Sequence, residues 1–304
     1  MNVLITGISG YVGSRLAPRL LRDGHAVRGF SRRSGPSPAG VEVVRGDAVS
    51  GTGLGEALAG IDVAYYLIHS MEPSADGSFG EREHRAAENF AAAAAGAGVA
   101  RVIYLGGLVP AGGAASAHLA SRSAVEGILR AAVPCTVVLR ASIVIGAGSR
   151  SFRFLVRLVE RMPVLAVPAW HSYRTSPVDE RDVVEILARA AGADALCGQT
   201  LDVGGRETVS YGELIDRIRD LMLLRRPTIS FRRLTLTPIA SRVAAVVAGE
   251  QHELIGPLME SLSGDLLPGA HRAEEAVGVR LHSLDAAIEH ALREWEAVEP
   301  LAAR

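Results

Sequence analysis

Residues 1–13, Met1-Asn2-Val3-Leu4-Ile5-Thr6-Gly7-Ile8-Ser9-Gly10-Tyr11-Val12-Gly13, run a short apolar strand directly into glycines at positions 7, 10 and 13. Few folds accept that order. A glycine at position 7 permits a tight turn off a buried strand, and one at position 10 lets backbone N–H groups approach a pyrophosphate. One at position 13 lets the next helix pack close to the sheet. The helix N-terminus then faces the anion. Thr6, Gly7, Ser9, Gly10, Tyr11, Val12 and Gly13 are therefore expected to surround a dinucleotide.

The rest of the chain agrees with that start. Strand patterns at residues 3–6, 26–31, 41–45, 63–68, 102–105 and 136–140 alternate with helical patterns at 11–22, 81–95 and 116–132. Strands separated by helices of this length imply a parallel, doubly wound α/β sheet of the Rossmann kind. Residues 1–150 are expected to form the dinucleotide-binding domain, and 151–304 a smaller substrate-covering region, with segments around 178–205 returning to the first domain. Beyond residue 145 the alternation loosens into helices at 152–160, 180–191 and 211–223 and strands at 200–203 and 228–231. Pro18 falls inside the first helix, where a local kink is expected. The stretch Ser34-Gly35-Pro36-Ser37-Pro38-Ala39-Gly40 is a surface loop by composition.

Charge and cysteine content exclude several functions. With 32 basic residues against 33 acidic ones, no global basic field exists to draw nucleic acid. Cys135 and Cys197 stand apart from any Cys/His spacing, so neither a metal site nor a disulfide is indicated, and both are expected as small buried thiols. No signal-peptide pattern and no apolar run of membrane-spanning length occurs, which implies a cytoplasmic protein without a membrane partner. The apolar stretch 239–262 is open as lid, core or the interface of a homo-oligomer.

Cofactor preference is read after the second strand. An acidic residue there would bind the ribose hydroxyls of NAD, but the chain has Ser31-Arg32-Arg33. Two guanidinium groups suit a 2′-phosphate, which favours NADP(H). Asp47, after the third strand, either contacts the adenine or caps a turn. Leu67, Ile68 and His69, after the fourth, are placed beside the nicotinamide ribose.

These motifs, with Arg101-Val102-Ile103-Tyr104-Leu105-Gly106-Gly107, Leu139-Arg140-Ala141-Ser142-Ile143-Val144-Ile145-Gly146, Pro177-Val178-Asp179-Glu180-Arg181-Asp182-Val183 and Leu201-Asp202-Val203-Gly204-Gly205, resemble the extended and atypical short-chain dehydrogenase/reductases. Tyr65-Tyr66-Leu67-Ile68-His69-Ser70-Met71 is similar to their NAD(P)H-binding, NmrA-like branch. The resemblance implies a Tyr-x-x-x-Lys pair on the helix after the fifth strand and a Ser or Thr at that strand's end. Here His118 falls in the tyrosine position, Arg122 in the lysine position, and Gly106 and Gly107 at the strand's end. The chain contains no lysine at all, so no shift of register restores the pair.

Arg122 is left to hold the nicotinamide ribose; as a permanent cation it is a poor proton relay. His118, His69 and Tyr173 are the candidate proton donors, imidazole because it titrates near neutrality. Gly107, Trp170, Tyr173 and Arg174 are expected to line the pocket, with Arg174 meeting an anionic substrate. Arg140 is expected to brace the sixth strand, and His84 and Arg85 to lie on a solvated helix face. The reading is an NADPH-dependent reductase of a small organic enone or carbonyl substrate. A non-catalytic NADP(H)-binding redox sensor, or an isomerase or cyclase on the same scaffold, stand as the alternatives.

Overall fold

A computed structural model of the protein describes residues 1–32, 40–68, 79–109, 117–162, 165–167, 169–230, 264–299 and 301. In chain order, β1 (Asn2–Thr6), α1 (Tyr11–Arg22), β2 (Ala26–Ser31), β3 (Glu42–Arg45), α2 (Leu54–Leu58) and β4 (Val63–Tyr66) come first. They are followed by α3 (Phe79–Gly96), β5 (Arg101–Gly107), α4 (Ala117–Ala132) and β6 (Thr136–Ala141). Then come β7 (Val144–Ile145), α5 (Arg150–Arg161), β8 (Leu165–Val167), β9 (Arg174–Thr175), β10 (Val178–Asp179), α6 (Glu180–Ala190), β11 (Thr200–Val203) and β12 (Val209–Ser210). The remainder is α7 (Tyr211–Leu221), β13 (Thr228–Ser230), α8 (Ala273–Ala276) and α9 (Leu284–Glu296).

Seven strands form one parallel sheet in the order β3-β2-β1-β4-β5-β6-β11. This is the expected doubly wound sheet, with β11 added at its edge. The chain reverses direction across the sheet between β1 and β4, which opens a crevice at their C-terminal ends. Successive strand residues point to opposite faces. Val3 and Ile5 therefore join Tyr65 and Ile103 in the core beneath α1 and α6, whereas Leu4 joins Tyr66, Val102 and Tyr104 beneath α3 and α4.

Pro18 does not interrupt α1, which runs unbroken to Arg22. Its ring lies on the exposed face of the helix. Four helices past residue 145 are held by side-chain caps: Ser149 accepts from the Phe152 N–H, Asp179 from the Arg181 N–H at 2.8 Å, Ser210 forms a capping box with Glu213, and Ser283 accepts from the Ala286 N–H. Residues 239–262 lie outside the described residues. Among the described residues, no helix is long and apolar enough to cross a membrane.

The cysteines correct the sequence reading. Cys135 and Cys197 are joined in a disulfide, with Cα atoms 4.5 Å apart; Cys135 is half-buried and Cys197 exposed. Sheet register explains the meeting. β6 and β11 pair with Val138 opposite Thr200, and three residues back on each strand lie Cys135 and Cys197. A separation of 62 residues hides that alignment in the sequence.

A third core, built from α5, α7 and α9, closes the C-terminal region around Phe152, Leu155, Leu214, Ile215, Ile288 and Trp295. The Trp295 ring is 1% exposed, with the guanidinium groups of Arg153 and Arg157 at 4.1 and 4.9 Å from its centroid. Its indole N–H donates to Glu299 at 3.1 Å. Trp295→Ala removes the ring, both cation–π contacts and that bond, and is expected to cost about 3–5 kcal/mol of unfolding free energy. Denaturant unfolding followed by circular dichroism reads the loss.

Candidate functional site

The dinucleotide turn is built so that only glycine fits. Gly7 has φ +69°, a left-handed conformation, and a Cβ there would stand 2.9 Å from the Leu67 carbonyl oxygen. At Gly13 a Cβ would lie 2.5 Å from the Gly7 carbonyl oxygen and 2.9 Å from Ile8 Cα. The first turn of α1 therefore rests directly on the loop backbone. Gly10 is the N-cap of α1, no side chain caps the helix, and its first turn holds no acidic residue. The N–H groups of Tyr11, Val12 and Gly13 are left to an anion at the mouth of the crevice. This is the fit a pyrophosphate requires.

Side chains around the turn shape it. Thr6 is fully buried; its hydroxyl donates to the Tyr65 carbonyl at 2.9 Å and accepts from the Leu67 N–H at 3.2 Å, stitching the end of β1 to the end of β4. Ser9 and Ser31 share a hydrogen bond at 3.3 Å, which holds the turn against the end of β2. Arg32 follows, exposed at the rim. Arg33 lies outside the described residues. Val12 packs against the core beneath α1, and Leu67 and Ile68 leave β4 with Leu67 buried.

On the nicotinamide side, Gly107 ends β5 opposite Ala141 of β6. Arg122 is half-buried on α4, and its carbonyl oxygen accepts from the Tyr104 hydroxyl at 3.4 Å. Burial pushes the Tyr104 phenol up to about 12, against the pull of the Arg122 guanidinium, and burial raises Tyr66 further still. Both phenols stay protonated at neutral pH. Beside them Ser121 donates to the buried Glu83 carboxylate at 2.5 Å. The sequence shows these as ordinary strand and helix residues, and only the packing of β4 and β5 against α3 and α4 collects them. His69, and the side chains of His118 and Trp170, lie outside the described residues.

Several side chains are claimed by neighbours within the protein. Asp47 accepts from the Val49 N–H at 2.9 Å, so of its two readings the structure shows the turn cap. The Tyr11 ring lies over Gly148, with its hydroxyl against Gly146. Arg174 pairs with Asp265: Nε and Nη2 donate to Oδ2 at 3.0 and 2.9 Å, and the backbone N–H donates to Oδ1. The acceptor lies 91 residues away, beyond any local reading. Tyr173 is 38% exposed ahead of β9, and its carbonyl accepts from the Tyr211 N–H. Arg140 donates twice to Glu126 on α4 and so braces β6, and His84 pairs with Glu88 on an exposed helix face.

Comparison with known proteins agrees with this geometry. Residues 7–143 match a family model described as NAD(P)H-binding. The ceramide reductase of Caulobacter vibrioides is 31% identical over 169 residues, 54% of this chain and 53% of that protein. The chain thus spans about half the length of this relative. A short-chain dehydrogenase/reductase superfamily protein from Agrobacterium tumefaciens with bound NAD superposes with a TM-score of 0.68 at 18% identity, over 98% of this chain and 96% of that one. The UDP-glucuronic acid 4-epimerase of Bacillus cereus, in complex with UDP-glucuronic acid and NAD, gives 0.73 at 16% identity, over 98% and 100%. The fold is Rossmann-type, and the segment that carries the turn is the one that matches the NAD(P)H-binding family model. Its sheet shares the fold of these solved structures.

Gly13→Ala drives a Cβ into the loop backbone that shapes the anion site. Overpacking of this kind costs about 1–3 kcal/mol, so cofactor affinity should fall by at least about fivefold. Titration of intrinsic fluorescence with NADPH and NADH measures it, and an unchanged affinity would show that the turn does not hold the dinucleotide.

Proposed function

We propose that the protein is an NADPH-dependent reductase of a small organic carbonyl or enone substrate, working in the cytoplasm. The observation that carries this reading is the uncapped, glycine-built N-terminus of α1, inside a segment that matches the NAD(P)H-binding family. The likeness to a ceramide reductase supports reduction over net isomerisation. When bound, the cofactor supplies a hydride.

The chain's own residues supply binding and the proton. Backbone N–H groups of Tyr11, Val12 and Gly13 hold the pyrophosphate, and Arg32 with Arg33 hold the 2′-phosphate through forked donors. Arg122 orients the nicotinamide ribose from α4. The proton comes from His118, His69 or Tyr173, or from water. An enone suits a site without the usual tyrosine, because protonation at carbon can come from solvent.

One observation favours a second reading. With no lysine in the chain and glycines at 106 and 107, the family's acid, its partner cation and its substrate-orienting hydroxyl are all replaced. An NmrA-like NADP(H)-binding sensor would need none of them.

Purified protein mixed with NADPH and a panel of enones, ketones and quinones separates the two. Loss of reduced-cofactor absorbance, abolished by His118→Phe, is the result expected of the reductase; tight binding without oxidation across the panel supports the sensor. Cofactor preference has its own check. Removing two charge-assisted contacts of about 1.5–3 kcal/mol each should lower the NADPH to NADH affinity ratio at least about tenfold in Arg32→Ala/Arg33→Ala. An unchanged ratio would show that the loop does not read the 2′-phosphate.

A further inference from the structure

Behind the dinucleotide turn, where α1, α6 and α9 meet, two carboxylates converge with too little positive charge around them. Glu180 opens α6 and is only 5% exposed, and Glu294 approaches from α9. Among the described residues, Oε2 of each is buried with no hydrogen-bond partner, and so is the Tyr11 hydroxyl. A Cβ on Gly146 would overlap both that hydroxyl and Glu180 Oε2, so the glycine leaves them room to meet. One helical turn before Glu294, His290 brings Nε2 to 3.8 Å from Glu180 Oε1. One donor atom from each of Glu180, His290 and Glu294 lies within 4.8 Å of the other two.

The neighbouring cations do not balance this cluster. Arg181 is held by Asp179, with Nε and Nη2 at 3.0 and 2.5 Å from its oxygens. Arg15 pairs with Glu294 Oε1 but stands 3.9 Å from Glu180 Oε1, and neither contact reaches the two orphaned oxygens. A buried carboxylate oxygen without a partner is costly.

We propose that Glu180, His290 and Glu294 form a site for a divalent cation of the zinc class. Two carboxylates and an imidazole match that class, whereas magnesium and calcium select all-oxygen sets. Zinc–ligand distances of about 2.0–2.2 Å require the donors to draw inward. Glu294 and His290, with side chains 27% and 34% exposed, have the freedom to do so. Arg15 is 40% exposed and swings into solvent as the cation takes over its charge, leaving the fourth position to water or to the Tyr11 hydroxyl. Such an ion clamps α9 to the base of α6 and to the helix that carries the dinucleotide turn. No motif announces it, because the ligands come from separate helices 110 residues apart (Glu180 and His290).

The test uses untagged full-length protein, stripped with EDTA and titrated with zinc chloride by calorimetry, with magnesium chloride as the control. One zinc per chain is expected, with affinity at least about tenfold weaker in His290→Ala and lost in Glu180→Gln/Glu294→Gln. The melting temperature should rise with zinc in the wild type and not in the double variant. Absence of zinc binding in the wild type overturns the proposal, as does binding that survives the double variant. Equal affinity for magnesium overturns the assignment to the zinc class. If the double variant does not fold, X-ray absorption at the zinc edge of the wild-type complex decides: one imidazole with oxygen donors supports the site, and several imidazoles or sulfur overturn it.

Discussion

The contact between Gly13 and the backbone of Gly7 and Ile8 is the constraint on which the rest of the structure depends. With no side chain between them, the first turn of α1 sits against the loop leaving β1, and the axis of the helix is set by that contact. The same placement aims the helix N-terminus at the crevice between β1 and β4. Beneath it, the Thr6 hydroxyl bridges backbone groups of β4 and holds the two strand ends in register. The far side of α1 transmits the setting outward: Arg19 reaches Glu185 on α6, and Arg15 reaches Glu294 on α9. A helix fixed by glycines thus becomes the reference surface for the C-terminal region.

Elements with a period were legible in the sequence, and those without one were not. The bounds of α1, β2 and β11 could be read because their apolar residues recur at intervals their own length can display. The two-residue strands β7, β9, β10 and β12 have no period, and exist only because a distant partner pairs with them. The disulfide belongs with them, since it follows from the register of β6 against β11.

The same distinction runs through the candidate site. Its backbone part was legible, because glycine at positions 7, 10 and 13 states a geometric need that the chain itself reveals. Its side chains were not, because where they point is decided by residues far away. Arg174 is turned by Asp265, Tyr11 by the room at Gly146 and Gly148, and Tyr104 by the approach of α4. A residue type at a plausible position does not say which neighbour will claim it.

This division bears on what the scaffold can do. The first turn of α1 offers an anion main-chain N–H groups, which no substitution of side chain removes so long as the glycines remain. Proton transfer draws on side chains or on water, and the chain holds no lysine; a guanidinium such as that of Arg122 does not give up its proton. The nearby phenols of Tyr66 and Tyr104 are buried and raised, so they order the wall of the site and do not titrate within it. Cofactor binding and chemistry are therefore separable in this fold, and the sheet by itself does not choose the reaction.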